Sequence, residues 1–338
     1  MMGIPVTIDL PLRVNAPFDV VGLGVNVINH LFLVSRFPEP DTKIDPLAVT
    51  QQGGGVVATA LVACARLGLT AKYIGKVGAD APGELSRKSL EHEGIDVADL
   101  VVDPRENTRV TFGLIEQASG RRTLIRGAPS RPPGEPGSAG FPPLARLRPE
   151  EVPAAAVICG RVLHLDGYEG SAAARAARLA REAGIPVSLD AEDATECQEE
   201  LFALTDILIM ARALGERLTG CKQVPAILER LEQFGPRVVG LTLAADGAVV
   251  RHRSTIVHVP GFKVDVVDTT GAGDVFHGAF LAGLLWGWPL EEIVRLANAV
   301  AALKCRKLGG RAGIPTLAEA RAFVQATGPD LPPIPTRG

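Results

Sequence analysis

From residue 155 onward the chain repeats one pattern, a short apolar run followed by a longer stretch of helical periodicity. The runs at 155–159, 162–165, 187–190, 207–210 and 238–243 are four to six residues long and rich in Ala, Val, Ile and Leu. Runs of that length predict buried strands. The segments between them at 171–183, 211–218 and 224–233 carry apolar residues at helical spacing. Strands separated by helices cannot be joined by tight hairpins. They pair in parallel, and the connecting helices cover both faces of the sheet. The expected fold is therefore α/β, with three layers (α/β/α) around a mostly parallel sheet. Ligands in such folds bind beyond the carboxyl ends of the strands, so the polar residues there are the ones to inspect.

The flanking segments extend this frame. A buried strand at 19–24, a helix at 56–68, a strand at 71–77 and a helix at 81–93 ended by Gly94 precede it. A hairpin at 248–251 and 256–258 and helices at 272–286, 290–304 and 317–326 follow. Short strands at 31–34 and 47–51, with a hairpin at 109–116 and 122–126, do not fit the main sheet. They predict a small separate sheet, a lid, from about 30–50 and 108–126. Nine of the sixteen residues at 128–143 are Pro or Gly, which predicts a mobile loop. The proline-rich tail at 328–338 is expected to fray. Residues 1–338 read as one domain.

Composition narrows the function. Apolar residues make up 46% of the chain, enough for a large core, and a net charge of −3 gives no reason to expect nucleic acid as a partner. The five cysteines are widely spaced, with no C-x-x-C, which argues against a disulfide scaffold or structural zinc and for a reducing, cytoplasmic compartment. The amino terminus lacks a basic head before a long apolar stretch. The most apolar segment, 275–290, is interrupted by His277, glycines and Pro289, so no membrane span is expected.

Several motifs are absent. There is no G-x-x-x-x-G-K-[ST], G-x-S-x-G or H-E-x-x-H, and Gly22-Leu23-Gly24 fails as a dinucleotide fingerprint because Val27 takes the place of the third glycine. The stretch that carries chemistry is Val267-Asp268-Thr269-Thr270-Gly271-Ala272-Gly273-Asp274-Val275-Phe276-His277-Gly278-Ala279-Phe280. An apolar lead enters a turn of small residues, and a helix follows. Small residues leave the amides at the helix start uncovered, where they and the dipole attract an anion such as a transferring phosphoryl group. Asp274, in the first turn, is either an ordinary helix-start aspartate or a base beside that anion.

The run from Asp268 to Phe280 resembles the C-terminal signature of the ribokinase-like (pfkB-type) carbohydrate kinases. The resemblance implies that Gly271, Ala272 and Gly273 form an anion hole and that Asp274 is the catalytic base. Gly54-Gly55-Val56-Val57-Ala58-Thr59-Ala60 followed by Ala65-Arg66-Leu67-Gly68 resembles the N-terminal signature, in which the glycines hinge the lid and Thr59 replaces an asparagine that binds sugar. Thr242-Leu243-Ala244-Ala245-Asp246-Gly247 resembles a nucleotide-contacting turn, and Asn298 lies on a helix that in the family runs beside adenine. The loop at 309–315, with Asp268 and Thr270, resembles a monovalent cation site. The resemblance thus implies ATP, Mg2+ and potassium as cofactors, a sugar as substrate, and homodimerisation through the lid.

The sequence also departs from the family. Asn29 stands where an aspartate usually binds sugar hydroxyls, and Ala211 and Leu214 replace an N-x-x-E motif, which leaves magnesium to ATP and water. Asp166 aligns near the sugar, and His164 reads as a core histidine. Arg109, Arg121, Arg122 and Arg126 flank the lid hairpin, either as a solvated face or as a clamp for an anionic sugar. The expected activity is ATP-dependent phosphorylation of a hydroxyl on a sugar or sugar-like molecule. A nucleoside kinase, or a sensing protein without turnover, stays open as an alternative.

Overall fold

The computed structural model describes residues 6–127, 144–192 and 197–335. The Pro/Gly-rich loop predicted at 128–143 lies outside them, as do the last three residues of the tail. The described strands are β1 (Phe18–Leu23), β2 (Val27–Val34), β3 (Ala48–Gly54), β4 (Ala71–Gly78), β5 (Asp96–Asp103), β6 (Val110–Glu116), β7 (Arg122–Arg126), β8 (Gly160–Leu165), β9 (Val187–Ala191), β10 (Ile207–Ala211), β11 (Val238–Thr242), β12 (Ala248–His252) and β13 (Thr255–Val259). Nine of them form one sheet in the order β13-β12-β11-β10-β9-β8-β1-β4-β5. It is parallel from β11 to β5, and the β12–β13 hairpin adds two antiparallel pairings at one edge.

Both faces of this sheet are buried, and neighbouring residues on a strand serve opposite faces. Val20, Val162, Ile207, Ile209 and Val238 pack under helices Val56–Arg66, Ala272–Leu285 and Leu290–Lys304. Val21, Leu163, Leu208, Met210 and Val239 pack under Ser171–Glu182 and Val224–Glu232. Helix Ala272–Leu285 is apolar on nearly every side because it is sandwiched. A Cβ on Gly278 would lie 2.4 Å from the Ala60 carbonyl oxygen of the neighbouring helix.

The remaining four strands form the expected small sheet, ordered β3-β2-β6-β7. Its two outer pairs are antiparallel, while β2 and β6 run in parallel. Three expectations need correction. The run at 155–159 is no strand. Ala154–Val157 is a short helix, consistent with the high helix propensity of alanine, and the strand begins at Gly160. Edge strand β5 and helix Gln198–Leu204 were not anticipated. In the described part of the tail, Arg321 donates to the Leu331 carbonyl (3.1 Å), Arg295 to the Asp330 carbonyl (2.9 Å) and Trp288 Nε1 to the Pro333 carbonyl (3.1 Å). Among the described residues no helix is long and apolar enough to cross a membrane.

Candidate active site

The parallel strands deliver Val25, Tyr168, Glu192, Ala211 and Thr242 to positions at or just beyond their carboxyl ends, and two adjoining cavities open there. The first, about 410 Å³, has Asn29 of β2 and Gly54, Gly55 and Thr59 on one side. Thr270, Gly271, Asp274 and Gly310 line another side, and Arg109, Arg122, Leu124 and Arg126 descend from the lid segment. Glycine is required at two of these positions. Gly55 joins β3 to the next helix at φ 93°, where a Cβ would lie 2.3 Å from the Val25 carbonyl oxygen. Gly271 caps helix Ala272–Leu285 at φ 79°, and a Cβ there would press on Gly310 at 3.0 Å.

Asp274 is buried in the first turn of that helix, and among the described residues its carboxylate makes no hydrogen bond. Burial, then the nearby Glu192 and Asp190 carboxylates, raise its pKa well above the ordinary aspartate value, against the opposing pull of Arg122 and Lys304. The second cavity, about 300 Å³, is lined by Asp190, Glu192, Thr242, Gly273 and His277, and it shares Arg126, Tyr168 and Glu192 with the first. A Cβ on Gly273 would meet no protein atom within 4 Å, so the helix start faces open room. Of the three amides expected in the anion hole, that of Ala272 turns back to the Thr269 carbonyl at 3.2 Å. Asp274 and the turn at 271–273 therefore stand where the two cavities adjoin.

The family model described as pfkB family carbohydrate kinase matches residues 19–317. The chain belongs to the pfkB family of carbohydrate kinases. An ATP-dependent ribose-1-phosphate kinase of Halopiger xanaduensis is 31% identical, covering 86% of this chain and 93% of the relative. A ribokinase of Haemophilus influenzae is 27% identical over 90% of this chain and 97% of its own, and a nucleoside kinase of Methanothermobacter thermautotrophicus is 25% identical over 89% and 94%. The structure of Arabidopsis thaliana ribokinase complexed with ribose and ATP superposes with a TM-score of 0.74 at 21% identity, covering 90% and 98% of the two chains, and shows the shared fold. The chain is thus an ATP-dependent phosphotransferase acting on a sugar or nucleoside.

In this pfkB kinase, Asn29, Gly54, Gly55, Thr59, Thr270, Gly271 and Asp274 meet around the first cavity, and Thr242 and Gly273 around the second. Other candidates lie behind them. Asp166 lines neither cavity. Its carboxylate accepts from Val25 N (2.8 Å) and Tyr168 N (3.0 Å) beneath the site, and burial lifts its pKa to about 7. Gly247 and Asn298 both buttress the segment after β13. Asn298 Nδ2 donates to the Val259 and Pro260 carbonyls (2.9 and 3.2 Å), and a Cβ on Gly247 would strike Val259 O. His164 is a core histidine beside Ser188 Oγ (3.2 Å), held neutral by burial and His277 with a pKa of about 3. Arg121 pairs with Glu116 (3.2 Å) on the surface, away from the cavities.

Sequence reasoning passed over Asp190, Glu192, His277, Lys304 and Arg311. Asp190 is the penultimate residue of β9, close to the carboxyl end worth inspecting, and its Oδ1 lies 3.2 Å from His277 Nε2 while among the described residues its buried Oδ2 has no hydrogen-bond partner. Arg311 is buried on the 309–313 loop. It donates to Gly54 O (2.6 Å), Asn26 Oδ1 (3.3 Å), Thr59 Oγ1 (3.3 Å) and Ser89 Oγ (3.1 Å). Burial pushes its pKa down to about 10, which leaves it charged at neutral pH.

Proposed function

We propose that this kinase phosphorylates a hydroxyl of a sugar that already carries an anionic group, with Asp274 as general base. The arginines of the first cavity carry the reading. Arg109 has Glu169 at 3.7 Å, but among the described residues neither Arg122 nor Arg126 has a carboxylate within 4 Å. Arg122 donates instead to Thr269 Oγ1 (2.8 Å) and Arg126 to the Tyr168 hydroxyl (3.5 Å). Cationic forks with no bonded carboxylate, though the Glu192 and Asp274 carboxylates lie near enough to feel their charge, favour a carboxylate or phosphate ligand in this concave wall. Asn29, uncharged where the family carries an aspartate, does not repel such a ligand. The ribose-1-phosphate kinase among the relatives is in keeping with this class of substrate.

In the proposed reaction Asp274 accepts the hydroxyl proton as that oxygen bonds to the γ-phosphorus. The bond from the γ-phosphorus to the bridging oxygen breaks, and ADP leaves with the electron pair. The amides at the start of helix Ala272–Leu285 stabilise the charge on the transferring group. Because Ala211 and Leu214 replace the family's N-x-x-E motif, magnesium would arrive held by ATP and water. The unpartnered Asp190 Oδ2, with Glu192, would face that ion, whose contribution is to neutralise phosphate charge.

The test is ADP release over ribose, ribose 1-phosphate, ribose 5-phosphate and adenosine. The phosphorylated sugars are expected to exceed ribose in kcat/KM, and, with ATP saturating so that its own contact with Arg126 does not limit, Arg126→Gln is expected to lower the sugar's kcat/KM about 10- to 100-fold for them alone, the worth of one charge-assisted contact. Equal use of ribose, or an equal effect of Arg126→Gln on it, would return the reading to a neutral sugar, and adenosine as best substrate would make this a nucleoside kinase. The outer face of the lid exposes Val49, Phe112 and Ile125. That apolar face supports pairing of two copies through their lids, a reading that a monomer in sedimentation velocity would remove.

A further inference from the structure

Asp268 and Thr270 begin the turn where the family resemblance implies a free monovalent cation; among the described residues the buried Thr270 hydroxyl has no hydrogen-bond partner, but the oxygens of Asp268 are already engaged. Both carboxylate oxygens of the fully buried Asp268 are engaged, Oδ1 by Thr270 N and Oδ2 by Gly309 N, each at 2.8 Å. Its carbonyl oxygen accepts from Lys304 Nζ at 2.8 Å. Lys304 is the last residue of helix Leu290–Lys304 and is completely buried, and among the described residues no carboxylate oxygen lies within 4 Å of its ammonium. It sits where the two loops of the site meet. A Cβ on Gly313 would contact the Lys304 carbonyl, the Asp268 carboxylate reaches Gly309, and Gly271 abuts Gly310. A second cation in this space would be repelled by the first.

We propose that Lys304 is a tethered cation, which holds the 268–271 and 309–313 loops together and adds positive potential behind the anion-binding turn, so that this kinase works without a monovalent metal ion. Enclosing an ammonium is costly unless something offsets it, and a surface lysine would avoid the cost altogether. Here the Asp268 carbonyl and the nearby Asp268 carboxylate offset part of it, although burial still holds the ammonium's pKa below the ordinary lysine value, and the charge acts through a low-dielectric interior where its field is weakly screened. Lys304 lines neither cavity, so it is a positioning residue acting through the turn rather than one that touches the reacting atoms.

The inference rests on the kinase activity but not on the identity of the sugar, and its test has one readout independent of substrate. Wild-type turnover and thermal midpoint are measured in potassium, ammonium or tetramethylammonium chloride at equal ionic strength. The same series is run on Lys304→Ala, which leaves room for an ion, and on Lys304→Met, which fills that room with an apolar chain. Wild type should be indifferent to the cation. Both variants should lose about tenfold or more in kcat, as for loss of a preorganised charge near the transferring group. Potassium or ammonium should restore much of the lost rate and raise the midpoint in Lys304→Ala but not in Lys304→Met. Wild type activated several-fold by potassium, a folded Lys304→Met with wild-type kcat, or a Lys304→Ala that no cation repairs would each overturn the proposal. If Lys304→Ala does not fold, the wild-type cation series and Lys304→Met decide it. If wild type turns over no substrate in the panel, the proposed substrate class fails, while the midpoints still test Lys304.

Discussion

Asp274→Asn is expected to bind nucleotide and fold normally while kcat falls by roughly 10²- to 10⁴-fold, the range for loss of a positioned base. The fold should survive because the carboxylate makes no hydrogen bond among the described residues and Asn occupies nearly the same volume. The wild-type pH profile supplies a companion test. The base works only when ionised, and its pKa is raised by burial and by Glu192 and Asp190. The acid limb of kcat/KM should therefore lie above the ordinary carboxylate range. Removing one negative neighbour with Glu192→Gln should move that limb to lower pH. Near-normal kcat in a folded Asp274→Asn would refute the assignment, and an acid limb in the ordinary range would remove the electrostatic account.

Arg311→Met should be the most damaging change outside the cavities. The guanidinium ties the 309–313 loop to the lid hinge at Gly54, to Asn26 after β1 and to Thr59 on the cavity floor. Methionine removes a buried charge that has no ion-pair partner among the described residues, which regains desolvation energy, but it strands the Gly54 carbonyl and the Asn26 oxygen. Buried acceptors left unsatisfied cost about 1–3 kcal/mol each, so the net stability loss should be modest. The kinetic loss should be larger. Hinge, floor and anion-binding loop would no longer share one anchor, and misplacement of about 1 Å costs about 10²-fold. We expect kcat/KM to fall by that order, with a thermal midpoint lowered by only a few degrees. Arg311→Lys should not repair it, because an ammonium lacks the planar fork. Wild-type kcat/KM in Arg311→Met would reduce the residue to filler.

The parts legible in the sequence were the local ones. The turn from Asp268 to Asp274 carries its chemistry in consecutive residues, and helix Leu290–Lys304 was bounded to the residue because its apolar period and flanking Pro289 lie within the segment. Strand β5 was missed because it is an edge strand. It pairs only with β4, and its acids Asp96 and Asp99 face Lys72, so the alternation that marks a half-buried strand is broken. Arg311 was illegible for a different reason, since its partners Asn26, Gly54 and Thr59 are 252 to 285 positions away in the chain. Lys304 carried no signal, because a lysine at the end of a helix is a common position. Only the folded chain brings its ammonium to Asp268. Asp166 and Asn298 were singled out from the sequence but line neither cavity. They lie close to the site in space, but their polar atoms are turned to the backbone that shapes it.

The wall shared by the two cavities has a thermodynamic consequence. Arg126, Tyr168 and Glu192 line both, and they are linked in a chain, Arg126 to the Tyr168 hydroxyl at 3.5 Å and that hydroxyl to Glu192 at 3.1 Å. If the substrate carries a phosphate as proposed, a phosphate group arriving from either side would compete for the same guanidinium and shift the same chain. Donor and acceptor affinities would then not be independent quantities. Whatever factor the nucleotide imposes on the dissociation constant of the sugar, the sugar imposes on that of the nucleotide, because both describe one closed cycle.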